Sequence, residues 1–328
     1  MAVFAVVFLH VAVLVLDESR IGSQAWWIGN LYDSGVQWAV PLLVMISGAL
    51  LLDPAKREPL AVFYGKRASR VLRPLLFWSP FFLAWAYLPS VVEGRGPPAL
   101  VLLKSFLSGR TYYHMWFLYM IIGLYAFVPF IRGMSSNTKE RDLFWAVVLM
   151  FGIASAAAFD RHLHPATGST FFPTWFLPYV PYFLAGHLIR QTDYEPPRSF
   201  LSAILVGSWL ATAAGFYLVS KPSTLEIGVY FHDNMSFTVI SMAICVLFLA
   251  KSWRRPLVND VFARDAALLT LGVYLIHPLF RDVIVAGFYR AIGSSPIWSV
   301  PLAALSVFAV SLLGSWMISR VPYLRRTI

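Results

Sequence analysis

This sequence predicts an all-α integral membrane protein: a single bundle of about ten transmembrane helices with both termini in the cytoplasm. Three observations carry that prediction. Of the 328 residues, 59% are hydrophobic and only 13% charged, and the mean hydropathy is +0.68. A soluble fold of this length has no interior large enough for so much apolar surface, whereas lipid covers the outer faces of a helix bundle. Apolar runs long enough to cross a bilayer, about 20 residues each, recur along the whole chain. The 12 Trp, 15 Tyr and 26 Phe suit a protein with two membrane interfaces.

In order, the apolar runs are 1–16, 36–52, 71–92, 114–131, 143–159, 174–190, 200–220, 233–250, 266–289 and 297–319. The 99–107 run is too short to span and is expected along the interface. No internal repeat, low-complexity tract or soluble appendage interrupts them, so residues 1–328 read as one transmembrane domain. Orientation follows from Lys and Arg. The even-numbered connections and the C-terminal tail hold 18 of the 26, the odd-numbered connections 7, and Arg281 lies within a helix. Acidic residues divide evenly between the two sides. The basic excess marks the cytoplasmic side. The net charge of +10 is thus a topology signal and gives no reason to expect nucleic acid. Cys245 is the only cysteine, so no intrachain disulfide forms. The opening run lacks the basic segment and small-residue cleavage site of a signal peptide.

Ionisable groups inside a bilayer are costly and are functional candidates by default. His10 falls in the first run, and His277 and Arg281 in the ninth, within LGVYLIHPLFRD. Tyr274, His277 and Arg281 are spaced i, i+3, i+7 and share one helix face. Pro278 has no N–H to give and frees the Tyr274 carbonyl. A polar, locally broken helix belongs against a cavity. The plainer alternatives are histidines hydrogen-bonded between helices, and an Arg281 that marks the outer end of its helix. Ser47-Gly48 in the second run allows close approach of a helix or a ligand. Downstream, Lys66, Arg67, Arg70 and Arg73 recur at steps of three or four and form a basic stripe. Positive-inside topology accounts for the stripe by charge alone; the functional alternative is a polyanion such as the phosphates of coenzyme A. His114, with Trp116 and Tyr119, opens the fourth run at the outer interface, as an aromatic belt or an access route. Asp160, His162 and His164 fall in an outer loop that lacks a fourth clear metal ligand, so a solvated loop is the reading there and no metal is expected. His187 and His232 carry no assigned role.

Taken together, VVFLH ending at His10, VPLLVMISGALLL, KRASRVLRPLLFW, HMWFLYMIIGLYAFVPFI, YFLAGHLI and LGVYLIHPL resemble the acyltransferase family 3 of bacterial membrane proteins in order and spacing. The resemblance covers nearly the whole chain. It implies ten helices in the bacterial inner membrane. It also implies transfer of an acyl group, usually acetyl from acetyl-CoA, to a hydroxyl of a cell-surface sugar or lipid-linked glycan, with no permanently bound cofactor. His10 matches the family's first-helix histidine and becomes the candidate general base. Ser47, His277 and Arg281 become candidate oxyanion donors, with no ranking among them. Lys66, Arg67, Arg70 and Arg73 fall where the donor's phosphates would approach from the cytoplasm. His114, Trp116, Tyr119 and Tyr274 would meet the acceptor. The family pattern also places an Arg eleven positions before His10, which this chain lacks; we expect a translation start upstream, or a shortened form. A transporter or flippase using the same polar path is the alternative, although inverted repeats are not visible. A non-catalytic component of a glycan-export complex is a third.

Overall fold

The computed structural model describes residues 1–53, 55, 58–164, 172–220, 225–253, 260–292 and 295–328, with backbone only at 225–226, 260–266 and 286–292. Lys56, Arg57, Lys221, Arg254, Arg255 and residues 165–171 of the 160–173 loop lie outside the described residues. The protein is an all-α integral membrane bundle. Its helices are α1 (Ala2–Glu18), α2 (Gln24–Ser34), α3 (Ala39–Leu51), α4 (Leu60–Arg67), α5 (Arg73–Val92), α6 (Ala99–Leu107), α7 (Trp116–Asn137), α8 (Glu140–Leu163), α9 (Val180–Gln191), α10 (Arg198–Ser220), α11 (Leu225–Gly228), α12 (Phe237–Lys251), α13 (Asp260–Ile292) and α14 (Pro296–Arg320).

Among the described residues, eight stretches are long and apolar enough to cross a membrane. The other two expected spans are α1, with 17 residues, and α9, with 12 residues entered through short 3₁₀ turns. Both are sheathed by protein rather than lipid. In α9 every residue from Pro181 to Ile189 is buried, and α1 packs against α2, α3, α13 and α14. A helix that is apolar all round belongs in such a central position. By contrast, α8 turns Trp145, Leu149 and Ile153 outward, and α10 turns Phe200, Leu210 and Leu218 outward. Exposed apolar surface on that scale is lipid-facing.

The expected second run starts too late. Helix α2 precedes it, and Gln24–Leu51 forms one apolar stretch. Asn30, Asp33, Ser34 and Gln37, spaced i, i+3, i+4, i+7, lower the local hydropathy yet point inward and are all buried. The third run also begins earlier, because α4 continues into α5 through a π-helical turn at Ala68–Leu72. The 99–107 segment is the short helix α6, with no buried residue and Leu100, Leu103 and Leu107 on its exposed side. It ends at Gly109, whose φ of 76° is left-handed. Arg110 N–H reaches the Ser105 carbonyl (2.9 Å) and Gly109 N–H the Phe106 carbonyl (3.2 Å), closing a Schellman cap.

Helices α3 and α9 touch backbone to backbone. A Cβ on Gly48 would lie 1.8 Å from the Phe183 carbonyl oxygen, and one on Gly186 would lie 1.9 Å from that of Met45. Gly48 is therefore a packing residue. Arg132, Arg190 and Lys251, from three of the even-numbered connections, meet the ends of α3 and α9. Arg132 Nε donates to the Leu51 carbonyl (3.0 Å), Arg190 Nη1 to the Ala49 carbonyl (3.0 Å), and Lys251 Nζ to the Ile189 carbonyl (2.7 Å). These cations satisfy the last carbonyls of α3 and α9, where the helix dipole favours positive charge.

Candidate active site

Pro278 is the local cause of the site's geometry. It sits inside α13 and leaves the Tyr274 carbonyl, four residues back, without a helical donor. His277 Nδ1 takes that place, 2.6 Å from the carbonyl oxygen. A carbonyl only accepts, so Nδ1 carries the proton. The Nε2 of a neutral His277 is then an acceptor, and it lies 2.8 Å from His10 Nδ1. His10 therefore donates from Nδ1, and its own Nε2 keeps a free lone pair. His277 is fully buried, whereas His10 is partly exposed. The chain of hydrogen bonds thus runs from a fixed backbone carbonyl to the one histidine of the cluster that a ligand can reach.

His114 completes the cluster. Its Nε2 lies 3.2 Å from the Leu275 carbonyl and donates to it. Its Nδ1 is then an acceptor, buried and without a partner within the protein. The Tyr274 hydroxyl donates to the backbone carbonyl of His114, locking the start of α7 to α13. On the other side of His10, Tyr113 presents its ring edge-on, with centroids 4.9 Å apart. The Arg281 guanidinium lies 4.3 Å above the same Tyr113 ring, and its Nε and Nη2 donate to Asp282 Oδ1 at 2.9 and 2.6 Å. Asp282 Oδ2 accepts from the Tyr112 hydroxyl at 3.0 Å. Burial, together with the Asp282 carboxylate, pushes the Tyr112 phenol up to about 12, and burial also raises Tyr113. Both phenols are neutral donors at physiological pH.

A cavity of about 290 Å³ ends at Tyr274, one turn before His277. It runs between Val3 of α1, Ser47 and Leu50 of α3, Phe117 and Tyr125 of α7, and Arg67 and Arg70. Arg67 stacks on Phe63 (5.3 Å) and Tyr125 (5.9 Å), and its buried Nε has no hydrogen-bond partner in the protein. Ser47 Oγ accepts from Tyr125 (3.2 Å) and donates to the Leu43 carbonyl (2.9 Å). The π-turn that follows Arg67 carries Arg70 onto the same cavity; such turns concentrate at functional sites.

The family model described as an acyltransferase domain matches residues 1–320. The chain belongs to acyltransferase family 3. Nodulation protein NolL of Mesorhizobium japonicum is 29% identical to it over 171 residues, which is 52% of this chain and 41% of that protein. The aligned stretch thus spans about two-fifths of that relative's length. No solved structure matches.

In this multi-pass member of the family, the residues singled out from sequence separate into three groups. His10, Tyr274, His277, Arg281 and His114 meet in one cluster. Ser47, Arg67 and Arg70 line the cavity that leads toward it. Lys66 and Arg73 point away: Lys66 pairs with Glu58, whose carboxyl is held below its usual range by that hydrogen bond, and Arg73 is exposed. Tyr119 is buried and donates to the Phe106 carbonyl (2.9 Å), which ties α6 to α7. Trp116 lines a different cavity. His164 pairs with Asp160 (3.0 Å) and His162 with Asp233 (3.2 Å). Tyr113, Asp282 and Tyr125 also belong to the site and were not singled out as site residues from sequence. The signal for Tyr113 was the unusual TYYH run just before α7.

Proposed function

We propose that this acyltransferase is an O-acetyltransferase of the bacterial inner membrane. It moves acetyl from cytoplasmic acetyl-CoA to a hydroxyl of a cell-surface sugar or lipid-linked glycan, with His10 as general base. The observation that carries this reading is the hydrogen-bond chain from the Tyr274 carbonyl through His277 to His10. It fixes the tautomer that leaves His10 Nε2 able to accept a proton.

The chemistry then follows from the residues present. His10 Nε2 takes the proton of the sugar hydroxyl as its oxygen attacks the thioester carbon. The C–S bond of the tetrahedral intermediate breaks, and the leaving thiolate takes the proton from the His10 imidazolium. The products are the O-acetyl sugar and free coenzyme A. Of the three oxyanion donors considered, His277 has no N–H to spare and Ser47 spends its proton on Leu43. Arg281 keeps Nη1 in hand while Asp282 holds Nε and Nη2, so it is the donor we assign. Arg67 and Arg70 hold the phosphates of the donor at the far end of the cavity, with its pantetheine arm running past Ser47 toward Tyr274. The transporter reading would use the same path but gives no reason for a tautomer to be fixed.

Labelled acetyl-CoA supplied to proteoliposomes containing an extract of surface glycan tests this reading. Acetyl should appear on glycan oxygen with wild type and be lost with His10→Ala. Glycan translocation without acetylation would favour the transporter instead.

A further inference from the structure

The acetyl-transfer reading leaves a second cavity without a role. It measures about 580 Å³ and lies against the start of α7, the end of α8 and the turns ahead of α9 and α12. Trp116, Trp175 and Tyr179 supply its aromatic surface, and Arg161, His232 and Asp233 its polar surface. Trp116 and Tyr179 stand 5.9 Å apart at 38°.

The polar side of this cavity is braced from within the bundle. Asp33 is 1% exposed, and its Oδ2 takes His232 Nδ1 (3.0 Å) and Gln37 Nε2 (2.9 Å). The other ring nitrogen, His232 Nε2, lies 3.0 Å from Ser34 Oγ, which is itself bonded to Asn30 Oδ1 at 3.0 Å. Both nitrogens of His232 are thus engaged inside the protein, and the ring is held as a fixed wall. A carboxylate buried between membrane helices is costly to keep. Here its effect is to hold the shape of this cavity. Beside it, Asp233 Oδ1 accepts from Met235 N–H (2.7 Å), and its Oδ2 faces His162 (3.2 Å) and Arg161 (3.5 Å).

Aromatic faces beside rigid donors and acceptors suit a ligand with apolar C–H faces and a rim of hydroxyls. An acyl chain would cover Asp233 and Arg161 without offering either a hydrogen bond beyond those they already make. An acidic sugar would meet the Asp233 carboxylate. A neutral pyranose satisfies both walls. Trp116 lies two residues after His114, and its neighbour Phe117 packs against Tyr274 with ring centroids 5.5 Å apart. The cavity therefore lies at the same end of α7 as the histidine cluster and shares no lining residue with the donor cavity. Resting on the acetyl-transfer reading, we propose that this cavity is a second acceptor subsite: it holds a neutral sugar unit next to the one being acylated, so the acceptor is an oligosaccharide or longer glycan.

The test uses the full chain in nanodiscs and a panel of fluorescently labelled neutral glycans, each as mono-, di- and trisaccharide. Wild type should hold at least one di- or trisaccharide about 10-fold more tightly than its monosaccharide, the scale of one aromatic stacking contact plus the area it buries. Trp175→Ala and Trp116→Ala should each remove that preference, and Arg161→Ala should weaken it without the packing loss of a Trp truncation. Trp145→Ala, which changes only an outward-facing side chain, should leave it intact. His10→Ala should retain the preference while losing acetyl transfer. Acetyl transfer by wild type with a length preference that ignores Trp116, Trp175 and Arg161 would overturn the subsite and leave the enzyme. The length preference without acetyl transfer would support the subsite and count against the enzyme. No length preference in wild type would overturn the subsite.

Discussion

The tautomer chain makes a quantitative claim about His277. His277→Ala removes the acceptor that lies 2.8 Å from His10 Nδ1 and leaves that N–H unmatched. An unmatched donor in such a setting costs about 1–3 kcal/mol. If the cost falls on the reactive arrangement, kcat drops about 5- to 150-fold. His10→Ala removes the base itself and should cost about 10²–10⁴-fold. The two losses should not add, because His277 acts only through His10. The double variant should fall within about threefold of His10→Ala alone. Pro278→Ala supplies a milder perturbation at the other end of the chain. It restores an N–H that competes with His277 for the Tyr274 carbonyl, worth about 0.5–1.5 kcal/mol, or about 2- to 13-fold in kcat. The assay is acetyl transfer from labelled acetyl-CoA under saturating donor, with acetyl-CoA binding as the check on folding. Wild-type kcat in His277→Ala would refute the reasoning. So would a double variant about tenfold or more below His10→Ala, since that outcome requires an independent role for His277.

Other expected outcomes rest on the same geometry. Arg67→Ala and Arg70→Ala should each weaken acetyl-CoA binding by calorimetry by about 1.5–3 kcal/mol, whereas Lys66→Ala and Arg73→Ala, whose side chains point away from the cavity, should change it by less than about 0.5 kcal/mol; equal effects at all four would mean that the stripe acts only as bulk charge. Gly48→Ala should lower thermal stability by about 1–3 kcal/mol or more, because its Cβ would meet the backbone of Phe183 rather than a movable side chain; an unchanged melting temperature would count against the α3–α9 contact. In a Cys245→Ala background, single cysteines at Gly96 and Asn137 should react with an impermeant thiol reagent from opposite sides of the membrane. Labelling of both from one side would break the alternating topology.

Much of the fold was legible because lipid imposes a simple rule on composition. The outward faces of α8 and α10 are apolar for that reason, and the runs they form stand out. The rule weakens wherever a helix is enclosed by protein. Helix α2 was missed because its inward polar face, Asn30 to Gln37, lowers local hydropathy while serving an internal network. Helix α9 is short because enclosed helices need not match the bilayer. The basic residues were read as a topology signal. Arg132, Arg190 and Lys251 have a second use that sequence does not reveal: they cap helices that come close in space, not along the chain.

The site divides along the same line. Pro278, Tyr274 and His277 could be read from sequence because their relation is local: a proline at i+4 frees the carbonyl at i. That His277 itself takes up the carbonyl, and passes the constraint to His10, depends on α1 and α13 crossing at that height, a contact spanning 267 residues. The same distinction explains the basic stripe. Helical periodicity places Lys66, Arg67, Arg70 and Arg73 on one side, yet only Arg67 and Arg70 line the cavity: Lys66 is drawn to Glu58, and the π-turn at 68–72 shifts the phase of α5 and with it Arg73. An extra residue in one turn rotates the rest of the helix by about 100°. It thereby separates two cations aimed at the donor cavity from one left at the surface. A variant with one residue deleted from 71–72 removes the extra residue, keeps Arg70 three positions after Arg67 and leaves α5 in its present phase, so Arg73 should stay at the surface. Acetyl-CoA binding should then remain sensitive to Arg70→Ala and insensitive to Arg73→Ala. A gain of sensitivity at Arg73 in the deletion variant would show that the extra residue does not set the phase of α5.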